Sequence, residues 1–310
     1  INAGLNFEYA RYSNNTARKL ADGTNLIYDA SLDVLKYGLF GQVSRDFLND
    51  RATISFGFRA DGNDYNSSMR NPFGQFSPRL SVSYSFAPKW MLVANTGRYY
   101  QLPPYTLLGF ENSEGELINK QNKVKYISSD HIVAGIEYYP NPLSKLSVEG
   151  FYKFYRNYPV SVSDSVSISS KPADFGSFGD EEVLSDGEGR AFGMEVLYQT
   201  KNFKGFNFIV SYTLVRSEAK GLLNKYIPTA WDNRHILNIT GLRSLKRNWD
   251  IGFKWRFVGG TPYTPWDLEK SSLASAWDAQ GRAYPDYSRF NELRLNPFHQ
   301  LDVRVDKAYY

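Results

Sequence analysis

Apolar and polar residues alternate with period two along most of this chain, and residues 231–258 show the pattern best. Trp249, Ile251, Phe253, Trp255 and Phe257 share one parity, while Asp250, Gly252, Lys254 and Arg256 share the other. Side chains of a strand point alternately to its two faces, so this segment reads as a strand with one aromatic and one charged face. A tight basic turn joins it to a preceding strand. Residues 50–61 repeat the pattern, with Ala52, Ile54, Phe56, Phe58 and Ala60 set against Arg51, Thr53, Ser55, Gly57 and Arg59. Phe206, Phe208, Val210, Tyr212 and Leu214 form one face of another such strand at 205–216. Periodicity and turn residues predict the others at 2–12, 35–47, 77–86, 89–100, 128–139, 145–156, 190–200, before the basic turn, and from 298 onward. That makes twelve strands.

The connections alternate in length. Turns at 48–49, 87–88, 140–142 and 201–204 are short; the stretches 13–33, 62–76, 101–127, 157–189 and 259–297 are long, polar and rich in Ser, Asn, Asp and Gly. Several long loops at regular intervals are unusual in a compact domain, and placing them all at one end of a barrel accounts for them. The predicted fold is all-β: an antiparallel up-and-down transmembrane β-barrel, about twelve strands of a larger barrel, with short periplasmic turns and long extracellular loops. Residues 1–310 read as one partial barrel domain. Phe56, Phe58, Phe206, Phe208, Ile251, Phe253, Trp255 and Phe257 are its predicted lipid-facing side chains. Trp90, Trp249, Tyr138 and Tyr139 beside short turns, and Tyr99, Tyr100, Tyr155 and Tyr158 beside long loops, are expected to form two interfacial girdles.

Composition agrees. Aromatics make up 16% of the chain and mean hydropathy is −0.46, with no uncharged apolar run near the roughly 20 residues a spanning helix needs. A barrel escapes such a scan because its lumen-facing residues dilute every strand. The absence of cysteine excludes disulfides and thiolate metal sites. A net charge of +4, dispersed along the chain, gives no basic patch for nucleic acid. The first residues, INAGLNFEYARY, look like strand and not signal peptide, so Ile1 is not expected to be a natural start.

Five segments then carry a resemblance: SPRLSVSYSFAPKWMLVANTGRYYQLPP (77–104), GRAFGMEVLYQ (189–199), WDNRHILNITG (231–241), FVGGTPYTP (257–265) and HQLDVRVDK (299–307). In order and spacing they resemble landmarks of TonB-dependent outer-membrane receptors, and the Tyr-, Asn- and Ser-rich style is similar to Bacteroidetes-type members. The resemblance implies a Gram-negative outer-membrane location and a barrel filled by a plug domain of the same polypeptide. It also implies energy from the TonB system, contacted through the missing N-terminal part, and uptake of a small or oligomeric extracellular ligand: siderophore, cobalamin, glycan or peptide. The plug, the TonB box, the early strands and a terminal aromatic strand are not in this sequence.

Enzymatic chemistry has no support. His131, His235 and His299 sit on separate strands without ligand spacing, there is no G-x-S-x-G, and GEGRAFG does not fit G-x-G-x-x-G. No catalytic residue, metal or cofactor is expected. Asp232, Arg234 and His235 read as a polar strand-end network. Ligand contacts are expected at the loop mouths, from Arg98, Tyr99, Tyr100, Gln101 and Tyr105 around a Pro-Pro pair and from Tyr263 and Trp266; aromatics with an Arg can stack on a ring or pair with a carboxylate. Arg59, Glu149, Lys153, Lys254, Arg256, Asp302 and Arg304 are expected to form charge ladders facing the lumen. Two other readings stand beside the receptor: a self-contained passive porin, which needs its first and last strands paired, and a soluble β-rich adhesin with polar binding loops.

Overall fold

The computed structural model describes residues 1–19, 25–171, 180–203, 205–280 and 283–309. The expected loop tips at 20–24 and 172–179, Lys204 of an expected turn, and residues 281, 282 and 310 lie outside the described residues. In chain order the strands are β1 (Asn2–Lys19), β2 (Asn25–Phe47), β3 (Ala52–Asn63), β4 (Phe76–Ala87), β5 (Trp90–Gln101), β6 (Ile127–Asn141) and β7 (Ser144–Ser161). There follow β8 (Val183–Phe203), β9 (Phe206–Lys220), the short β10 (Tyr226–Pro228), β11 (Arg234–Leu245), β12 (Trp249–Val258), β13 (Pro262–Tyr263), β14 (Leu293–Arg294) and β15 (Phe298–Lys307). All twelve predicted strands are present. Each pairs antiparallel with the next in a single 13-stranded sheet, which β10 joins by pairing with β9, while β13 and β14 form a small separate ribbon. Strands β1 and β15 are the two edges of the sheet, and among the described residues they do not pair, which is the closure the porin reading needs.

The strands run longer at the loop end than alternation predicts. The polar stretch 13–33 is mostly strand: β1 and β2 pair on to Lys19 and Asn25. Arg11 Nε donates to Asp33 at 2.9 Å and Asn15 Nδ2 to Asp29 at 2.5 Å, so polar pairs do the work that apolar alternation does elsewhere. The expected loop 157–189 likewise has strand stems, because β7 reaches Ser161 and β8 starts at Val183. Register shifts between Arg156, Tyr158 and Val160 interrupt the alternation there and hid it.

Register fixes which residues share a face. Phe58 pairs with Gly41 and Pro78, and Phe56 with Val43 and Leu80. Leu92, Ile136, Val148, Val196 and Tyr212 form one continuous row across β5 to β9. Val210 pairs with Ile239, Ile239 with Trp255, and Trp255 with Leu301. Followed strand by strand, Phe56, Phe58, Phe206, Phe208, Ile251, Phe253, Trp255 and Phe257 all lie on this one face. The opposite face carries Lys36, Arg59, Asp61, Glu137, Lys145, Glu149, Lys153, Lys254, Arg256, Asp302 and Arg304. Some of its ion pairs cross strands, as Lys145 does to Glu137 at 2.5 Å and Lys36 to Glu8 at 2.5 Å. Those of Arg59 with Asp61 and Arg304 with Asp306 instead run along one strand, a correction to the expected cross-strand ladders.

The loops choose between the two faces. Tyr105 of the one-turn helix Tyr105–Leu108 stacks on Tyr12 at 5.9 Å and lies under the Lys36 ammonium at 5.6 Å; Asn63 Nδ2 donates to the Tyr126 hydroxyl at 2.8 Å. Tyr12, Lys36 and Asn63 belong to the charged face. A buried apolar cluster of Leu32, Val34, Tyr65, Met69, Leu107, Leu108, Val124, Tyr126, Ile168 and Val183 sits at the same end. The aromatic face is left bare, and its Ile132 is 62% exposed.

Candidate functional site

Two features of the covered face can meet a ligand: an aromatic ladder on the strands and a set of interlocked loops at their ends. The ladder begins with Arg79 of β4, whose guanidinium lies 4.5 Å from the centre of the Tyr99 ring. Tyr99 packs on His131 at 4.4 Å, His131 meets Tyr155 edge-on at 6.5 Å, and Tyr155 meets Tyr158 at 5.6 Å. Alternation alone would turn Tyr158 away from Tyr155. The bulge at Asn157, with φ 57°, returns it to the same face. Gly97 lies opposite Arg79, and a Cβ there would come within 3.2 Å of the Arg79 Cγ, so the missing side chain is what lets the arginine lie along Tyr99. His131 Nε2 shares a 2.7 Å hydrogen bond with Ser129 Oγ, which fixes the ring.

This arrangement corrects the expected girdle at the loop end: Tyr99, Tyr155 and Tyr158 face the covered side. Tyr139 does too, its hydroxyl donating to Glu137 beneath Lys145. Near the short turns Trp90 stacks on Tyr138 at 4.4 Å on the bare face, and Lys307 lies over Trp249 at 5.3 Å.

The other sequence-predicted contacts are dispersed. Arg98 is on the bare face, held by Asp130 through Nε at 2.6 Å and Nη2 at 3.0 Å. Tyr100 and Tyr105 pack against the apolar loop cluster, and Gln101 ends β5 exposed. Tyr263 pairs with Leu293 in the β13–β14 ribbon, and Trp266, 52% exposed, bridges to Pro285. The structure thus brings Tyr99 together with His131 and Tyr155, and leaves Tyr263 and Trp266 on a separate loop.

Buried polar side chains stitch the loops together. Asn66 Nδ2 donates to the Val124 carbonyl at 2.8 Å, joining the β3–β4 and β5–β6 loops. Asn119 donates to the carbonyls of Leu107 and Glu181 at 2.8 and 2.9 Å and accepts from Val183 N–H at 2.8 Å. Asn291 donates to the Ser170 and Pro228 carbonyls at 2.6 and 2.7 Å, tying the last long loop to two others. Asp232, 1% exposed, pairs with Arg294, lies 3.7 Å from Arg216 and accepts from Ser217 N–H at 2.8 Å. Burial pushes the Tyr65 phenol well above its ordinary pKa, and its hydroxyl donates to the Leu108 carbonyl at 2.7 Å. Of the DNRH element only Asp232 is a hub. His235 is on the bare face with Tyr212, 2.8 Å from its hydroxyl. Asn119, Asn291 and Arg294 carried no sequence signal, because an asparagine or arginine in a polar loop looks the same whether solvated or clamped.

An antiparallel meander with an aromatic face left bare, a charged face packed under the loops at one end, and all long connections at that end defines an outer-membrane β-barrel wall. The family model "TonB dependent receptor-like, beta-barrel" matches residues 1–310, and the chain belongs to that family. The members of that family are outer-membrane transporters of Gram-negative bacteria, and this chain is its barrel part. Similar solved structures include the ferripyoverdine receptor of Pseudomonas aeruginosa bound to ferripyoverdine, at 13% identity and TM-score 0.62, over 91% of this chain and 34% of that one. The ferric yersiniabactin uptake receptor FyuA of Yersinia pestis gives 15% identity and TM-score 0.60, over 98% and 43%. The copper transporter OprC gives 13% and 0.61, over 98% and 46%. The chain spans from a third to under half the length of these structures. No curated protein matches by sequence.

Proposed function

We propose that this barrel is the wall of a receptor that takes up a scarce extracellular ligand with energy delivered through TonB to a plug of the same polypeptide. The observation that carries the reading is the ladder Arg79–Tyr99–His131–Tyr155–Tyr158 on the face the loops cover. Its flat rings and flanking guanidinium suit a ligand with rings or carboxylates, as siderophores, cobalamin, glycans and peptides have. The neighbours named for ferripyoverdine, ferric yersiniabactin and copper make iron chelates and metals the first ligands to try. In this reading the bare face meets lipid. Ligand contact falls to Tyr99, Tyr155 and Tyr158, with Gln101, Tyr105, Tyr263 and Trp266 at the mouth. Arg98 faces away from that path.

The test uses the full-length receptor in cells supplied with ferric siderophores, copper, cobalamin, oligosaccharides and peptides in turn. One class is expected to accumulate, and dissipating the proton gradient is expected to abolish accumulation but not binding. Tyr99→Ala should weaken binding of that ligand by up to roughly tenfold, the worth of one aromatic stack. Accumulation indifferent to the gradient would instead make the protein a passive channel.

A further inference from the structure

The wall beneath the aromatic ladder carries positive charge that it does not neutralise. Strands β2 to β7 turn Lys36, Arg59, Arg79, Lys145 and Lys153 to the charged face. Lys36 holds Glu8 at 2.5 Å, Arg59 holds Asp61 at 2.8 Å, and Lys145 holds Glu137 at 2.5 Å. Among the described residues Arg79 and Lys153 form no ion pair. Arg79 lies along the Tyr99 ring with its Nε 3.4 Å from the Ser77 hydroxyl, and Lys153 Nζ lies 5.3 Å from the centre of the Phe151 ring. Both side chains are half-buried, so each has given up part of its hydration without gaining a counter-charge. Register sets them in one row, Arg79–Gly97–His131–Lys153, and the next row toward the loops is Tyr99–Ser129–Tyr155. Gly97 and Ser129 keep the floor between the two cations low. The rings of Tyr99, His131 and Tyr155 stand over it.

We propose that Arg79 and Lys153 select the ligand by charge: the ladder takes a ring-bearing body with two anionic groups, one for each cation, in preference to a monoanion or a neutral glycan. The inference rests on the ladder being the ligand surface. Three strand spacings separate the two residues, about 14 Å between backbones at 4.8 Å each, and leaning side chains shorten that gap. The Arg79 guanidinium offers a planar fork to a carboxylate or phosphate, while the Lys153 ammonium is a mobile point charge that tolerates different spans. Between them the rings supply faces and edges for a flat body. Lys153 thereby becomes a specificity-determining residue, placed opposite His131 by the register of β6 and β7.

The experiment measures binding of three fluorescent rods to the full-length receptor in neutral detergent: para-terphenyl dicarboxylate, its monocarboxylate and its neutral diamide. The parent is expected to bind the dianion at least roughly tenfold tighter than the monocarboxylate, the worth of one further charge-assisted contact. Lys153→Gln should bring the dianion down to the monocarboxylate and leave the diamide unchanged, and Arg79→Gln should do the same. Unchanged diamide binding shows that the site is still folded. Lys254→Gln, which removes a cation of the same face on β12, should leave the preference for the dianion intact. Equal binding of dianion and monocarboxylate by the parent, or a preference that survives Lys153→Gln, overturns the proposal. Tyr99→Ala is expected to weaken all three rods alike. If it leaves all three unchanged, the ladder is not the ligand surface, and the proposed function loses that surface together with the charge selection. A parent blind to charge whose binding still falls in Tyr99→Ala overturns the charge selection alone.

Discussion

Asp232 is buried to 1% beside Arg294, with Ser217 N–H as a further donor. Removing one partner of such a pair strands the other charge, at a cost of roughly 3–5 kcal/mol. Arg294→Ala is therefore expected to lower the thermal midpoint of the folded barrel and expose residues 259–297 to protease. A midpoint and a cleavage pattern like the parent's would rule out the hub. The surface pair Arg11–Asp33 is different: its Arg11→Ala variant should cost under about 1 kcal/mol, since exposed pairs contribute little. At this scale the sequence was half readable. Asp232 stood out inside DNRH, but Arg294 is 62 residues further on, and nothing local links them.

Strands were the most legible elements, because one apolar and one charged face force alternation. In β12 every odd position from Trp249 to Phe257 is apolar and pairs with an apolar or aromatic neighbour, except His299 and Lys307 of β15 and Arg243 of β11. Phe253→Arg near mid-strand should cost roughly 2–4 kcal/mol and deplete heat-resistant folded barrel in membranes. Lys254→Leu, on the opposite face, should assemble normally; equal loss from both variants would contradict the assignment of faces. The strand stems beyond residues 12, 156 and 216 were not legible. Polar residues dominate both faces of the β1 and β9 stems, and bulges at Arg156/Tyr158 and Tyr158/Val160 shift the parity of the rest of β7. The same bulge explains why Tyr158 reads as a girdle residue in sequence and is a ladder residue in the fold.

Across the whole molecule, the described loop residues form one interlocked layer. Asn119 and Asn291 each bridge carbonyls on segments far apart in sequence, and each is buried. Truncating either leaves carbonyls unpaired, at roughly 1–3 kcal/mol each. Asn119→Ala with Asn291→Ala should speed amide exchange in residues 102–126 and 259–297 while leaving β3 to β9 protected. Uniform exchange across loops and strands would mean the loops are not a separate unit. This layer could not be read from the sequence, since it depends on which loops the barrel brings to the same end. Ladder and loops together are the candidate site, and only Tyr99 of the ladder stood out beforehand as a ligand contact.

In the proposed function one face of this sheet meets lipid and the other meets the ligand path. The chain has no cysteine, so each introduced one is unique. Nitroxides attached singly at positions 249–258 of the full-length receptor in lipid bilayers, with collision rates to oxygen and to a polar nickel chelate, test it most directly. High oxygen and low nickel access are expected at Ile251, Phe253, Trp255 and Phe257, with oxygen access dropping at Gly252, Lys254 and Arg256. A flat profile along β12, or oxygen access peaking at the even positions, would contradict it.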